Sequence, residues 1–243
     1  MRLLFARVRL QFGRWRRTQR IKLRFLRMLW SNPDYRKHVI PWIRSQQDGY
    51  LLNKPMPWLV FDAISFLQTR IPPQASVFEY GSGGSTLYWL SRGCTCVSVE
   101  HDEAWSQILS ARLGSKKGIE YRYIPPEPGQ LCPAADPADP NCYQSSLAPF
   151  LDFNFKRYVT AIDTYPEACF DIVSIDGRAR ASCVMHGAKH VKVGGLLILD
   201  NSDREHYTAQ TSQYLVDFQA HHFAGPAPVT PYLAQTSIYI RLR

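Results

Sequence analysis

The chain has 243 residues, 45% of them apolar, and its 29 Lys and Arg against 20 Asp and Glu give a formal net charge of +9. This length predicts one domain, or one domain with an appendage, with enough apolar residues for a substantial core. No run of about 18 apolar residues occurs, so the sequence predicts no transmembrane helix. The six cysteines lack paired C-x-x-C zinc spacing. We expect a cytoplasmic protein with reduced cysteines, in which Cys132 and Cys142 can pair under oxidising conditions.

The excess positive charge lies in residues 1–30. This segment contains ten Lys or Arg and no acidic residue, so residues 31–243 hold 19 basic and 20 acidic residues, a formal net charge of −1. A body this close to neutral argues against a nucleic-acid-binding protein. Within the segment, apolar residues recur at three- and four-residue steps, which predicts a basic amphipathic helix. Its apolar face consists of Leu4, Val8, Phe12 and Trp15.

Four interpretations of the basic helix stay open. Its Arg, Trp and Phe content favours binding to an anionic membrane surface, which would make the protein peripheral on a membrane. Each basic residue near such a surface contributes about 1 kcal/mol. The helix could instead pack on the body with its charges in solvent, serve as an organellar presequence, or bind the phosphates of a nucleic acid.

Residues 31–70 are predicted to form a helical lead-in to the main domain. Asn32 and Pro33 interrupt the basic segment. Residues 58–70 have the pattern of an amphipathic helix, with one proline just before them and two just after. Beyond residue 70, strand-like and helix-like runs alternate to the end of the chain. We therefore predict one catalytic domain over residues 71–243.

A glycine-rich turn follows the first predicted strand of this domain. Residues 77–80 are apolar or β-prone, the next four positions hold three glycines, and residues 85–91 have a helical pattern. Strand, glycine turn and helix together bring backbone N–H groups and a helix N-terminus towards a ligand. A Cβ would block this approach and disfavour positive φ, so glycine is required.

Four more strands are predicted, at residues 95–100, 119–124, 170–176 and 196–200. Alternation of strands and helices implies a parallel sheet, which binds ligands at the carboxyl ends of its strands. Four of the five predicted strands carry an acidic residue at or next to that end. We expect these side chains to converge on one site; they are Glu79, Glu100, Asp176 and Asp200.

The remaining segments predict helices, an insertion and a final hairpin. Helices are expected at residues 103–113, 178–191 and 207–220, with a turn at Gly194 and Gly195. Residues 125–149 contain seven prolines and predict an inserted loop, either a substrate lid or a spacer. Two β-like runs, at residues 221–229 and 236–242, flank a Pro-rich turn and predict the hairpin.

The segment Glu79-x-Gly81-x-Gly83 resembles motif I of the class I S-adenosylmethionine-dependent methyltransferases. Glu100 lies 19 residues beyond Gly81, the spacing at which an acid accepts the ribose hydroxyls of an adenosine cofactor. The resemblance covers about residues 70–243. It implies a Rossmann-like α/β fold: a mostly parallel seven-stranded sheet, helices on both faces and a C-terminal antiparallel hairpin.

The same resemblance implies S-adenosylmethionine as cofactor and a set of residues that hold it. In this family the acid of motif I helps to place the methionine end of the cofactor, and the glycines let the protein backbone approach the cofactor closely. The implied cofactor-binding residues are Glu79, Gly81, Ser82, Gly83, Gly84, Ser85, Thr86, Glu100, His101, Asp176 and Gly177.

Two further segments resemble the Mg²⁺ positions of catechol-type O-methyltransferases. This likeness implies Asp176, Asp200 and Asn201 as metal ligands, since Mg²⁺ prefers oxygen atoms and acidifies a bound hydroxyl. The chain departs from that family at Ala179, where those enzymes carry a catalytic Lys. The base is therefore open, and the candidates are Asp176, His101 and His206. The neighbouring Arg178 and Arg180 could bind an acidic group of the substrate.

These observations predict a methyltransferase that acts on an oxygen of a small molecule or glycan. One alternative is an NAD-dependent oxidoreductase. Two residues disfavour it: Glu79, two positions before the first glycine, and Thr86, which stands where the dinucleotide motif has its last glycine. Another is a non-catalytic, membrane-associated module, which the four strand-end acids disfavour. No feature of the sequence indicates an oligomeric state.

Overall fold

A computed structural model describes the backbone of residues 2–134 and 136–243 and the side chains of residues 17–134 and 136–243. The predicted apolar face at Leu4, Val8, Phe12 and Trp15 lies outside the described side chains. A helix, α1, covers Arg2–Ser31. No helix in the described part of the chain is both long enough and apolar enough to span a bilayer.

Seven strands form one central sheet. In chain order they are β1 (Ser76–Tyr80), β2 (Thr95–Glu100), β3 (Ile119–Tyr123), β6 (Phe170–Ile175), β7 (Val191–Asp200), β8 (Phe218–Pro226) and β9 (Leu233–Arg241). Two short strands, β4 (Glu127–Pro128) and β5 (Phe153–Asn154), pair separately. The order across the sheet is β3-β2-β1-β6-β7-β9-β8. The first five of these strands are mutually parallel, and β9 enters antiparallel between β7 and β8. This confirms the predicted fold class.

Eight further helices accompany the sheet in the described part of the chain. They are α2 (Val39–Ser45), α3 (Tyr50–Asn53), α4 (Phe61–Gln68), α5 (Gly84–Ser91), α6 (Glu103–Leu113), α7 (Lys156–Val159), α8 (Arg180–Gly187) and α9 (Glu205–Thr208).

Strand β1 shows how the sheet divides the core into two layers. Val77 packs into the cluster that contains α4 and the buried end of α1, whereas Phe78 and Tyr80 pack into the cluster around α7 and α8. Successive side chains of a strand point to opposite faces, so a strand covered on both faces is apolar at nearly every position. Glu79 is the one charged residue on β1, and it is completely buried.

The segment before the sheet packs on the same core. Phe25 and Leu29 of α1 are buried, and the ring of Phe25 lies 5.2 Å from that of Trp42 in α2. Trp42 donates its indole N–H to the carbonyl of Thr230, in the turn between β8 and β9, at 2.7 Å. The lead-in is thereby anchored to the C-terminal hairpin, close to the carboxyl ends of the strands.

Several predicted boundaries are wrong. The helix predicted at residues 58–70 is shorter in the structure, where α4 covers Phe61–Gln68. It begins later than predicted because Val60 is extended and donates its N–H to Thr236 Oγ1 at 3.2 Å. The helix expected at residues 178–191 is α8 followed by one 3₁₀ turn. The predicted turn at Gly194 and Gly195 lies inside β7, where the pairing with β6 shifts register. A Cβ at Gly195 would lie 2.9 Å from the carbonyl of Asp171, so glycine permits this irregularity.

The prediction of a helix at residues 207–220 is also wrong. The structure has the single turn of α9 and a 3₁₀ turn at Ser212–Tyr214, and β8 begins at Phe218. Pairing with β9 along nine residues outweighs the weak helical pattern there.

The proline-rich insertion folds back on the domain. Its β4 pairs with β5, and Asn154 donates its amide to the carbonyl of Gly129 at 3.0 Å. Cys132 and Cys142 form a disulfide, so the expectation of reduced cysteines holds only for the other four. The end of the insertion brings Phe150 to the cavity described below.

Candidate active site

A cavity of about 450 Å³ opens at the carboxyl ends of β1, β2, β6 and β7. This is the edge at which parallel sheets bind ligands. Eleven of the residues predicted as cofactor, metal or catalytic groups line it: Gly81, Ser82, Gly83, Gly84, Ser85, Glu100, His101, Asp176, Gly177, Asp200 and Asn201. Three predicted residues, Glu79, Thr86 and His206, are not among its lining residues.

The glycine turn is packed tightly at two of its three glycines. Gly81 has φ +87°, and a Cβ there would lie 2.7 Å from the backbone of Gly177. A Cβ at Gly84 would lie 2.6 Å from the carbonyl of Leu51. At Gly83 the only neighbour of such a Cβ is the Trp105 ring, at 3.8 Å. A side chain is therefore excluded sterically at Gly81 and Gly84, whereas Gly83 has room for a Cβ.

Glu79 lies beneath the turn, where it acts as a hub of hydrogen bonds. Its carboxylate accepts from the hydroxyls of Thr86 at 2.5 Å and Ser98 at 2.6 Å and from the indole of Trp89 at 3.1 Å. Thr86 Oγ1 in turn accepts the N–H of Gly83 at 2.9 Å. Burial raises the pKa of Glu79, and its hydrogen bonds oppose that rise. Glu79 thus supports the turn, while direct contact with a cofactor stays a prediction.

Glu100 closes β2 and organises the next loop. Its Oε2 accepts the N–H of Ser82 at 3.0 Å, and its Oε1 accepts those of His101 and Asp102 at 2.7 and 2.8 Å. Each carboxylate oxygen has about two acceptor positions, and Oε2 uses only one of them, so its second position is left for a ligand hydroxyl. Trp105 reinforces the link by donating its indole N–H to the carbonyl of Ser82 at 2.8 Å.

His101 lies between an acid and an arginine. Its Nδ1 lies 2.8 Å from Glu100 Oε1 but makes no hydrogen bond within the described residues, and its Nε2 accepts the Nε–H of Arg178 at 3.2 Å. The guanidinium of Arg178 also lies 5.6 Å from the centroid of the Phe150 ring. Because its Nε2 already accepts from Arg178, His101 is better placed to orient that arginine than to accept a substrate proton.

Asp176 and Asp200 follow β6 and end β7, and Arg180 lies between them. Arg180 donates to Asp176 Oδ1 at 2.8 Å, and its Nη1 lies 3.8 Å from Asp200 Oδ2. Thr236 donates its hydroxyl to Asp200 Oδ1 at 2.7 Å. The side chain of Asp176 keeps 26% of its surface exposed, against 8% for Asp200. Asp176 is therefore the carboxylate that a ligand in the cavity can reach.

Burial raises the pKa of Asp176, the neighbouring Asp200 carboxylate raises it further, and Arg180 opposes both effects. Burial also raises the pKa of Asp200, against the stabilising influence of Arg180 and Thr236. Two carboxylates this close hold a proton more readily than isolated ones.

The predicted Mg²⁺ ligands do not fit a metal as the residues stand. Arg180 has its guanidinium against both carboxylates, so the positive charge that a metal would supply is already present. Asn201 has φ +52°, a conformation that Asn tolerates, and its side chain lines the cavity without a hydrogen-bond partner among the described residues. Ala179, in the position of the missing Lys, is 3% exposed and has no ionisable group.

His206 is outside the candidate site. It lies on α9 with its ring 4.3 Å from that of Tyr207, and burial lowers its pKa, with Arg204 and Arg180 lowering it further. Sequence analysis missed the four large aromatic residues that line the cavity: Trp58, Trp105, Phe150 and Tyr232. Only Trp105 had a detectable sign, its place in the first turn after an acid-ended strand.

Comparison with solved structures tests the predicted fold. The chain is similar to a protein from Klebsiella pneumoniae described as a "putative O-methyltransferase", with a TM-score of 0.53 and 15% identity over 83% of this chain and 90% of that one. This likeness supports the Rossmann-like methyltransferase fold that the sequence predicts. A methyltransferase-like protein from Silicibacter pomeroyi matches 78% of this chain and 91% of its own at 22% identity, with a TM-score of 0.46.

Two comparisons based on sequence, one with protein-family models and one with curated proteins, give no match. At these identities the structural likeness establishes the fold. Nothing in the comparisons supports the NAD-dependent oxidoreductase or the non-catalytic module.

Proposed function

We propose that this protein transfers a methyl group from S-adenosylmethionine to an oxygen atom of a small molecule or glycan. The observation that carries the proposal is the meeting of the glycine turn, Glu100 and Asp176 around one cavity of a methyltransferase fold. The cofactor supplies the electrophilic methyl group when bound. Every other step depends on the chain's own residues, which must orient the cofactor and the acceptor and remove the acceptor's proton.

The cofactor fits the residues present. The spare acceptor position of Glu100 suits a ribose hydroxyl, and Trp105 and Phe150 border the same end of the cavity. The first N–H groups of α5 have no partner within the helix and suit a carboxylate of the methionine part. The close approach of Gly81 to Gly177 keeps side chains out of the space between these two ends.

The opposite end of the cavity has the properties of an acceptor site. Trp58 and Tyr232 are 47% and 52% exposed, line the cavity and make no ring contact with the described residues. Such rings offer flat apolar faces with a polar edge. The amide of Asn201 and the partly exposed carboxylate of Asp176 also line the cavity and can bond to hydroxyl groups. A neutral hydroxylated acceptor satisfies these groups, and Asp176 is the proposed proton acceptor.

The proposal is tested by calorimetric titration with S-adenosylhomocysteine in the presence of a chelator, with NAD⁺ titrated alongside. We expect micromolar binding of the first ligand and none of the second. Binding of NAD⁺ alone, or of neither ligand, would reject the methyltransferase assignment.

The acceptor is tested with tritium-labelled S-adenosylmethionine and a set of neutral glycosides, phenols and carboxylic acids. We expect label in a glycoside or phenol, and a Trp58→Ala/Tyr232→Ala variant that raises the acceptor KM about tenfold or more while leaving S-adenosylhomocysteine binding intact. Label only in the carboxylic acids would contradict a neutral acceptor.

We also propose that α1 binds an anionic lipid surface. Leu23 and Trp30 are 53% and 63% exposed and lie seven residues apart, on the same side of the helix. The exposed side chains of Arg20 and Arg27 flank them. Apolar side chains bordered by cations suit the boundary between lipid headgroups and acyl chains.

This surface predicts salt-sensitive binding to vesicles. The protein should cosediment with phosphatidylserine-containing vesicles but not with pure phosphatidylcholine, and 0.5 M salt, roughly five times the level that gives a 10 Å screening length, should release it. A Leu23→Ser/Trp30→Ser variant should bind more weakly. Equal binding to both lipids, or none, would count against an electrostatic membrane site.

A further inference from the structure

Arg180 is a buried cation at the acceptor end of the cavity. It is 5% exposed, and it begins α8 directly after the loop that leaves β6. Its guanidinium donates to the backbone carbonyls of Asp176, Gly177 and Asp200 as well as to the Asp176 carboxylate. The side chain therefore ties the end of β6 to the end of β7.

These contacts use most of the N–H donors of the guanidinium. Arg has five N–H groups in a fixed planar arrangement and stays charged at all relevant pH values. Four hydrogen bonds use them here, and the remaining direction faces Asp200 Oδ2 at 3.8 Å. The face of the guanidinium lies 5.0 Å from the ring centroid of Tyr207. If Arg180 moved away, the Asp176 carboxylate and three carbonyls would lose this donor, and Asp200 would lose its neighbouring positive charge.

A divalent metal would need the same two carboxylates. Its approach would place two positive charges beside a buried third, and displacement of Arg180 would leave buried carbonyls unpaired, at a cost typical of broken buried ion pairs. The arginine therefore competes with a metal for this position by charge and by geometry.

We propose that Arg180 is the resident cation of this strand edge: it holds Asp176 and Asp200 in place and excludes a divalent metal, so the protein works without one. The exclusion of a metal stands independently, whereas the statement about turnover rests on the proposed methyl transfer. Removing the guanidinium should expose the carboxylates of Asp176 and Asp200 and the oxygen of Asn201, a ligand set that divalent cations favour.

Mn²⁺ binding, followed by the loss of the free-ion signal in electron paramagnetic resonance, tests this proposal. The wild type should bind no Mn²⁺ at this site in the submillimolar range. Arg180→Ala should bind one ion at least about tenfold more tightly, and Arg180→Ala/Asp200→Asn should lose it again. Arg180→Lys, which keeps a positive charge, should behave as the wild type. The samples are kept free of reductant, since Cys132, Cys142 and Asp139 lie close enough together to bind a metal if the disulfide opens.

Three results would overturn the proposal. One is tight Mn²⁺ binding by the wild type that Asp200→Asn abolishes. Another is a folded Arg180→Ala protein, judged by its circular dichroism and thermal transition, that binds no Mn²⁺. The third is loss of S-adenosylmethionine-dependent turnover on chelation with recovery on adding Mg²⁺. If Arg180→Ala does not fold, the wild-type titration and its Asp200→Asn control still decide. Failure of S-adenosylhomocysteine to bind would reject the methyl transfer and leave the Mn²⁺ results unaffected.

Discussion

A Gly81→Ala protein is expected to lose about 2 to 5 kcal/mol of unfolding free energy and its affinity for S-adenosylhomocysteine. Two effects add. Alanine is disfavoured at φ +87° by about 1–2 kcal/mol, and its Cβ would lie 2.7 Å from the backbone of Gly177, an overpacking that costs roughly 1–3 kcal/mol. Relief of that contact must move the glycine turn away from the loop after β6. The two halves of the proposed cofactor site would then separate. Urea unfolding and calorimetric titration measure the two losses.

Gly93→Ala is the matched control. Gly93 has a similar φ of +78°, but a Cβ there would meet no atom within 4 Å. Only the conformational cost of about 1–2 kcal/mol applies, and cofactor affinity should not change. If the two variants are equally stable and bind S-adenosylhomocysteine equally well, the close approach of Gly81 to Gly177 does not shape the site.

Glu100→Gln is expected to weaken S-adenosylhomocysteine binding roughly 10- to 100-fold, the range for hydrogen bonds to a charged group. The carboxylate accepts backbone N–H groups with both of its oxygens, from Ser82 on one side and from His101 and Asp102 on the other. An amide replaces one of these acceptors by a donor that faces another N–H. The change therefore removes the charged acceptor for a ribose hydroxyl and disturbs the loop that presents it.

Glu103→Gln provides the comparison. Glu103 is exposed in the first turn of α6, three residues further along the chain, and does not line the cavity. It tests whether loss of one negative charge near the site is sufficient. Affinity within about twofold of the wild type is expected, since surface substitutions without partners have small effects. If Glu103→Gln lowers the affinity for S-adenosylhomocysteine as much as Glu100→Gln does, the effect is general electrostatics and not a specific contact of Glu100.

The site was predictable where its residues follow strands directly. Glu100 and Asp176 are close to their strand ends in the chain, and a parallel sheet brings such ends to one edge. Glu79 obeys the same rule yet lies beneath the turn, because the alternation along β1 turns its side chain into the layer that contains Trp89. Arg180 appeared in the sequence as one of two arginines open to a substrate acid. Its burial against Asp176 and Asp200 depends on how α8 begins and cannot be read from spacing.

The sequence by itself determined the parallel sheet, its hairpin and the placement of the glycine turn, because alternating apolar periods, glycines and strand-end acids are local features of the chain. It could not determine which residues complete the cavity from a distance. Trp58 comes from the lead-in and Tyr232 from the turn between β8 and β9, and they line one cavity only because Trp42 and Val60 bond to that hairpin region. Such contacts join residues more than 150 positions apart. Tertiary packing alone decides them, as it decides that the cation between the two strand-end carboxylates is an arginine of the chain.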